Sequence, residues 1–153
     1  MMAIMHKLLY WEDVQEGDIL PTLVKEVTAT TVIYGALAVR DFMPLHHDRD
    51  FAQRHGMKDI FMNSPATGGW VSKYLTDWTG PHGRLKRISL LFGSPCFPGD
   101  TLVWQGKVAK KYMDGDQHLV DVEYSVKTSE ENHCTGTATI RLPSITSAHS
   151  EPV

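Results

Sequence analysis

The chain has 153 residues, a mass of 17.2 kDa and a formal net charge of -3 at pH 7. That is one ordinary domain, long enough for a sizeable core and with no room for a second. The acidic balance excludes a polybasic nucleic-acid surface. Two distant cysteines, Cys96 and Cys134, exclude a zinc ribbon or a disulfide scaffold and suit a reducing cytosol.

Residues Met1 to Leu9 are too short and too polar at their end for a signal peptide or a membrane span, so a cytoplasmic protein with no membrane partner is expected. Leu20 to Val27 is apolar and β-branched enough for a strand. Thr28 to Val39 reads as a short helix, capped by Thr28 or Thr30, with Val32, Ile33, Ala36 and Leu37 on one apolar face. Asp41 to His47 contains Pro44, which biases the residues before it away from helix, so an ordered loop follows. Asp48 to His55 reads as a second short helix with Asp48 as N-cap and Gly56 at its end.

Pro65 to Trp78 is the strongest predicted helix. Ser64 suits its N-cap, Pro65 its first position and Gly80-Pro81 its stop. Trp70, Val71, Tyr74, Leu75 and Trp78 recur at helical spacing, which predicts a helix buried on most sides. After residue 82 the apolar period becomes two. Ile88, Leu90 and Phe92 alternate, as do Leu102 to Val108, Val120 to Val126 and Cys134 to Leu142. Turn chemistry at Pro98-Gly99-Asp100, Asp114-Gly115-Asp116 and Glu130-Glu131-Asn132 separates them, which predicts an antiparallel meander wrapped over one helix, an α+β fold. A frayed tail is expected over residues 144–153, after a single domain at 1–143.

The densest reactive cluster is Arg40-Asp41-Phe42-Met43-Pro44-Leu45-His46-His47-Asp48. A carboxylate and an imidazole five apart in a proline-stiffened loop can converge on one small atom, such as a water oxygen, and divide acid and base work. The plainer reading is a helix cap at Asp48 beside surface histidines. Adjacent histidines rarely point to one centre, so no metal site is expected. The cysteines lack a neighbouring base and read as small buried residues. Arg84, Lys86 and Arg87 form either a solvated sheet face or a contact for the phosphates of a nucleotide-like ligand.

Asp41-x-x-Pro44-Leu45-His46-x-Asp48 with Phe51-Ala52 and Gly56, Pro95-x-x-Pro98-Gly99-Asp100-Thr101-Leu102, and Glu16-Gly17-Asp18 together resemble the signatures of MaoC-like (R)-specific enoyl-CoA hydratases. The resemblance implies a hotdog fold, with an antiparallel sheet around a long central helix. It also implies reversible addition of water to a trans-2-enoyl-CoA, with Asp41 and His46 as the catalytic pair. Coenzyme A arrives as part of the substrate, and no separate cofactor is implied. Backbone N–H groups near Asn63 and Ser64, at the start of the central helix, would polarise the thioester carbonyl. Arg84, Lys86 and Arg87 would lie near the phosphates.

The pattern departs from the family in two places. Arg40 and Met43 stand where Gly and Asn are usual, so one hydrogen bond ordering the pair is expected to be missing. Lys58 to Pro65 replaces the usual H-G-M at the central helix. A narrower likeness, carried by Arg40-Asp41-Phe42, His46-His47-Asp48-Arg49-Asp50, Lys58-Asp59-Ile60-Phe61 and Thr76-Asp77-Trp78, is to the small MaoC-like subunits of steroid side-chain enoyl-CoA hydratases. It implies a bulky acyl group and a heteromer with a second MaoC-like subunit, or else a homodimer. A hotdog acyl-CoA thioesterase and a non-catalytic MaoC-like subunit are the alternatives.

Overall fold

The computed structural model describes residues 8–146. The first strand, β1 (Leu23–Glu26), leads into helix α1 (Ala29–Ala38), whose N-cap Thr28 accepts from the Thr31 N–H. Val32 and Ala36 are buried on α1, whereas Leu37, expected on the same face, is half exposed. A 3-10 turn at Pro44–His46 precedes helix α2 (Arg49–Arg54), capped by Asp48 as expected. The long helix α3 (Ser64–Thr79) follows, then β2 (Arg84–Phe92), β3 (Thr101–Asp114), β4 (Gln117–Lys127) and β5 (Asn132–Arg141).

The five strands form one antiparallel sheet in the order β1-β3-β4-β5-β2. The predicted meander is therefore corrected at one end. β3, β4 and β5 are joined by tight turns, but β2 pairs with β5 at the far edge, and Gly93 to Asp100 crosses back over the sheet end to start β3. The crossing is anchored by Cys96, which is fully buried and whose carbonyl accepts from the Met62 N–H. Register shifts between Leu85 and Arg87, Val108 and Lys110, and Val126 and Lys127 bend the sheet around α3.

The inner face of the sheet is the alternation seen in the sequence. Leu102, Trp104 and Val108 of β3, Val120, Val122 and Val126 of β4, and Ala138 and Ile140 of β5 are all buried against α3. From α3 come Ala66, Val71, Tyr74 and Leu75; Trp70 and Trp78 pack against the core while partly exposed. The helix is not buried on most sides. Ser64, Pro65, Gly69, Lys73, Thr76 and Asp77 form a solvent-facing stripe, because the sheet covers it from one side only. Its N-cap is Asn63 rather than Ser64, with Oδ1 accepting from the Ala66 N–H at 3.0 Å.

Ser144 is buried and its hydroxyl donates to the Glu12 carboxylate, which also accepts from the Ile145 N–H. The remainder of the expected tail lies outside the described residues. Among those described, no helix is long and apolar enough to cross a membrane.

Candidate active site

α1 ends just before Asp41. The Arg40 N–H donates to Leu37 O at 3.0 Å and the Asp41 N–H to Ala36 O at 2.9 Å, so the turn aims the Asp41 side chain toward α3. The 3-10 turn at Pro44–His46 then brings His46 back toward it. His46 Nε2 lies 3.3 Å from Asp41 Oδ2, so the sequence-predicted pair converges. His47, one residue on, is exposed and takes no part.

His46 is buried, with its ring edge-on to Phe61, 4.9 Å between centroids. Its Nδ1 lies 2.7 Å from the Phe61 carbonyl oxygen. A carbonyl accepts only, so Nδ1 carries a proton and donates. That fixes the ring and, in the neutral imidazole, leaves Nε2 with a free lone pair facing the carboxylate. Two acceptors so close repel unless a hydrogen stands between them. The geometry therefore accommodates a proton shared by the pair or a water molecule donating to both.

Asn63 supplies what Met43 lacks. Its Nδ2 donates to Asp41 Oδ2 at 2.8 Å, while its Oδ1 caps α3. The Met43 backbone N–H donates to the other carboxylate oxygen, Oδ1, at 3.2 Å. The Asn63 bond first, then the Met43 N–H, hold the Asp41 carboxyl below the usual carboxylate range; burial opposes them, and the neighbouring His46 adds a lesser lowering effect. The ordering hydrogen bond expected to be missing thus comes from the N-cap of α3. A contact between residues 22 positions apart leaves no local signal in the sequence.

Of the first-turn donors of α3, the Ala66 N–H is used by Asn63 Oδ1, the Thr67 N–H donates to Asn63 O, and Pro65 has none. Exposed Ser64 retains a backbone N–H at the positive end of the helix dipole. Beneath this turn lies a network that sequence reasoning missed. Thr67 Oγ1 and His133 Nε2 are 2.9 Å apart, and His133 Nδ1 donates to Ser94 O at 2.8 Å. With Nδ1 protonated, Nε2 accepts from the Thr67 hydroxyl. Burial pushes the imidazole of His133 below its ordinary value. Cys96 Sγ is 3.7 Å from the same Nε2, but burial raises its thiol to about 12, which leaves it an inert packing residue as expected.

A cavity of about 260 Å³ opens beside this helix start, lined by residues including Phe61, Ser64, Thr67, Phe92 and His133. Asp41 itself is partly exposed, and Phe42 and Met43 beside it stand out into solvent. Arg84, Lys86 and Arg87 are not brought to this place within the chain. They are exposed at the other end of β2, where the Arg84 guanidinium donates to Pro81 O and Gly83 O beyond the C-terminus of α3. The 16 residues of α3 separate the two ends by roughly 24 Å.

A family model described as "MaoC like domain" matches residues 15–132. The chain is 37% identical over 126 residues to the 3-oxo-4,17-pregnadiene-20-carboxyl-CoA hydratase beta subunit of Mycobacterium tuberculosis, covering 82% of this chain and 95% of that one. A crystal structure of the ChsH1–ChsH2 complex from M. tuberculosis superposes on 84% of this chain and 98% of its own at 37% identity, with a TM-score of 0.78. The (R)-hydratase of A. caviae involved in PHA biosynthesis shares the fold, at 24% identity over 86% of this chain and 99% of its own, with a TM-score of 0.76.

Proposed function

The chain belongs to the MaoC-like domain family, and from that membership we propose that it is an enoyl-CoA hydratase acting through Asp41 and His46. The observation that carries the reading is the convergence of Asp41 Oδ2 and His46 Nε2 at 3.3 Å. A water seated beside the pair donates to both. Its oxygen attacks the β-carbon of the enoyl thioester while one of its protons passes to the pair, and that proton is returned to the α-carbon. The enolate oxygen that develops on the thioester is met by the Ser64 N–H at the start of α3. The reverse sequence removes water from a 3-hydroxyacyl-CoA.

The likeness to the M. tuberculosis beta subunit supports a bulky acyl group, of the steroid side-chain class, and assembly with a second MaoC-like subunit. The open position of Asp41 fits the same reading, since a neighbouring subunit would wall the cleft. A thioesterase reading lacks support on α3, where the single acidic residue, Asp77, is paired with Lys73 at the far end of the helix. A non-catalytic subunit would have no use for a pair so fixed.

The test is incubation with short-chain, long-chain and steroid enoyl-CoAs, alone and with a second MaoC-like subunit, following loss of the enoyl thioester absorbance. Loss without thiol release is expected. Release of free thiol would move the assignment to a thioesterase, and no turnover in any combination would move it to a structural subunit.

A further inference from the structure

Among the described residues, positive φ angles fall on five glycines and on one other residue, Arg40, at φ 58. The position follows from how α1 ends. Paired bonds from the Arg40 N–H to Leu37 O and from the Asp41 N–H to Ala36 O close a turn whose penultimate residue must be left-handed. Glycine meets that demand without steric cost, whereas a side chain there crowds its own carbonyl. Arg40 therefore sits where the backbone alone favours glycine.

Nothing within the described chain rewards the side chain. Arg40 is exposed, and its guanidinium makes no hydrogen bond or ion pair with any described residue. Nor does it serve Asp41, whose carboxylate is turned to Asn63 and His46. Its surroundings are of another kind. Tyr34, Leu37, Phe42 and Met43 are exposed apolar groups on the same helix end and loop. An unpaired cation at the rim of a catalytic loop, beside apolar surface, matches a long, flexible ligand with an anionic end.

We propose that Arg40 is a substrate-binding residue whose guanidinium pairs with a phosphate group of the coenzyme A moiety while the thioester reaches Asp41 and His46. The inference rests on the enoyl-CoA reading and deepens it. Arginine's planar fork of donors suits a phosphate, and its length carries the charge clear of the reacting carbons. The left-handed backbone then has a function: it turns the chain so that residues 40 and 41 face different parts of one substrate.

The test compares Arg40→Gly and Arg40→Lys with the unaltered protein, assembled with its second subunit where one is required. The substrates are an enoyl-CoA and the matching N-acetylcysteamine thioester, which has the same reacting end and no phosphate. Arg40→Gly should raise Tm by roughly 2–5 °C, since it relieves the left-handed strain. It should also raise KM for the CoA ester by roughly 5–20-fold with kcat within about twofold, the scale of one solvent-facing charge-assisted contact. The N-acetylcysteamine ester should show no such change, and Arg40→Lys should keep part of the affinity.

A higher Tm with unmoved KM would overturn the proposal, as would an equal loss on both esters, which would make Arg40 a loop-positioning residue. A change in mass by light scattering would overturn it in favour of a subunit contact. Calorimetric titration with coenzyme A separates this inference from the wider reading. Weaker binding by Arg40→Gly upholds it even without turnover, equal binding sinks it alone, and an unaltered protein that binds no coenzyme A sinks both.

Discussion

The carboxylate of Asp41 receives two hydrogen bonds from groups that are fixed for other reasons. Asn63 is held by its cap on α3 and the Met43 N–H by the turn that begins at Pro44. Both favour the charged form, so the carboxyl stays ionised further into acid than an isolated one. The folded pKa lies below the unfolded one, so this contribution is present above the ordinary carboxylate range and is lost as pH falls through the folded value. For catalysis, Asn63→Ser keeps a capping oxygen but removes the amide donor. The acid limb of the rate profile should move to higher pH, with folding little changed; an unmoved limb would show that Asn63 serves the helix alone. Asp41→Asn and His46→Gln should each lower turnover by roughly 10²–10⁴-fold. The double variant should lose little more than either, because the two act as a unit. His47→Gln is the control and should cost far less. The reverse order of effects would place the pair one residue out of register.

Within the elements, alternation along a strand tells which side chains share a face, and a helical repeat tells which stripe is buried. Those parts of the fold were legible: β3, β4 and β5 run as the apolar period indicated, and α3 lies within one residue of its predicted bounds. Alternation does not tell which strand is whose neighbour, so the placement of β2 beside β5 could not be read. Nor could the network of Thr67 and His133, which joins residues 66 apart. Asp41 and His46 were readable because they share one short loop; Asn63 was named for its backbone, while its side chain holds Asp41. Ser64 and Asn63 are both good caps by residue type, and only the backbone angle of Asn63, still extended, decides between them.

Two expectations belong to elements in contact. Tyr124 reaches from β4 beneath β5 to donate to Ser89 O of β2 at 2.6 Å. It passes where Gly136 has no side chain: a Cβ there would sit 1.9 Å from Ser89 O and 2.4 Å from the tyrosine oxygen. Gly136→Ala should therefore destabilise by about 1–3 kcal/mol or more, read as a shift in the urea midpoint, because backbone and not a flexible chain end must move. His133 gives a pH dependence. Its folded pKa lies below the ordinary 6.5, chiefly because burial disfavours the cation. Above that value neither state binds the proton. Below it the unfolded chain does and the folded one resists, so stability should fall as pH drops from about 7 toward 5. In His133→Gln the slope should flatten even if the midpoint is lower; an unchanged slope would assign the acid sensitivity to other groups.

For the whole molecule, the sheet has two unlike edges. β1 is four residues long, while β2 offers nine, with Leu91 72% exposed and Phe92 43% exposed near the helix start. A long edge with exposed apolar residues is a template for pairing with another chain. Light scattering should find no stable monomer at micromolar concentration once the proper second subunit is present. Leu91→Lys should shift the population toward monomer, and activity should fall with it. A fully active monomer would show that the cleft needs no second wall. Arg84, Lys86 and Arg87 share this edge, so their proposed phosphate contact would be made across the subunit boundary rather than within the chain.

The clasp of Glu12 on Ser144 and Ile145, together with the Trp11 N–H on Pro143 O, brings the two ends of the described chain side by side. Topologically the domain is nearly a closed ring of polypeptide. Its strand pairs do not depend on where that ring is interrupted. A short linker between the ends and a new opening at Gly115, the tip of the β3–β4 hairpin, would leave each ladder and the Asp41 loop in place. The same adjacency makes two copies easy to join in tandem, so that a pair of subunits could be encoded as one continuous chain without reordering a single strand.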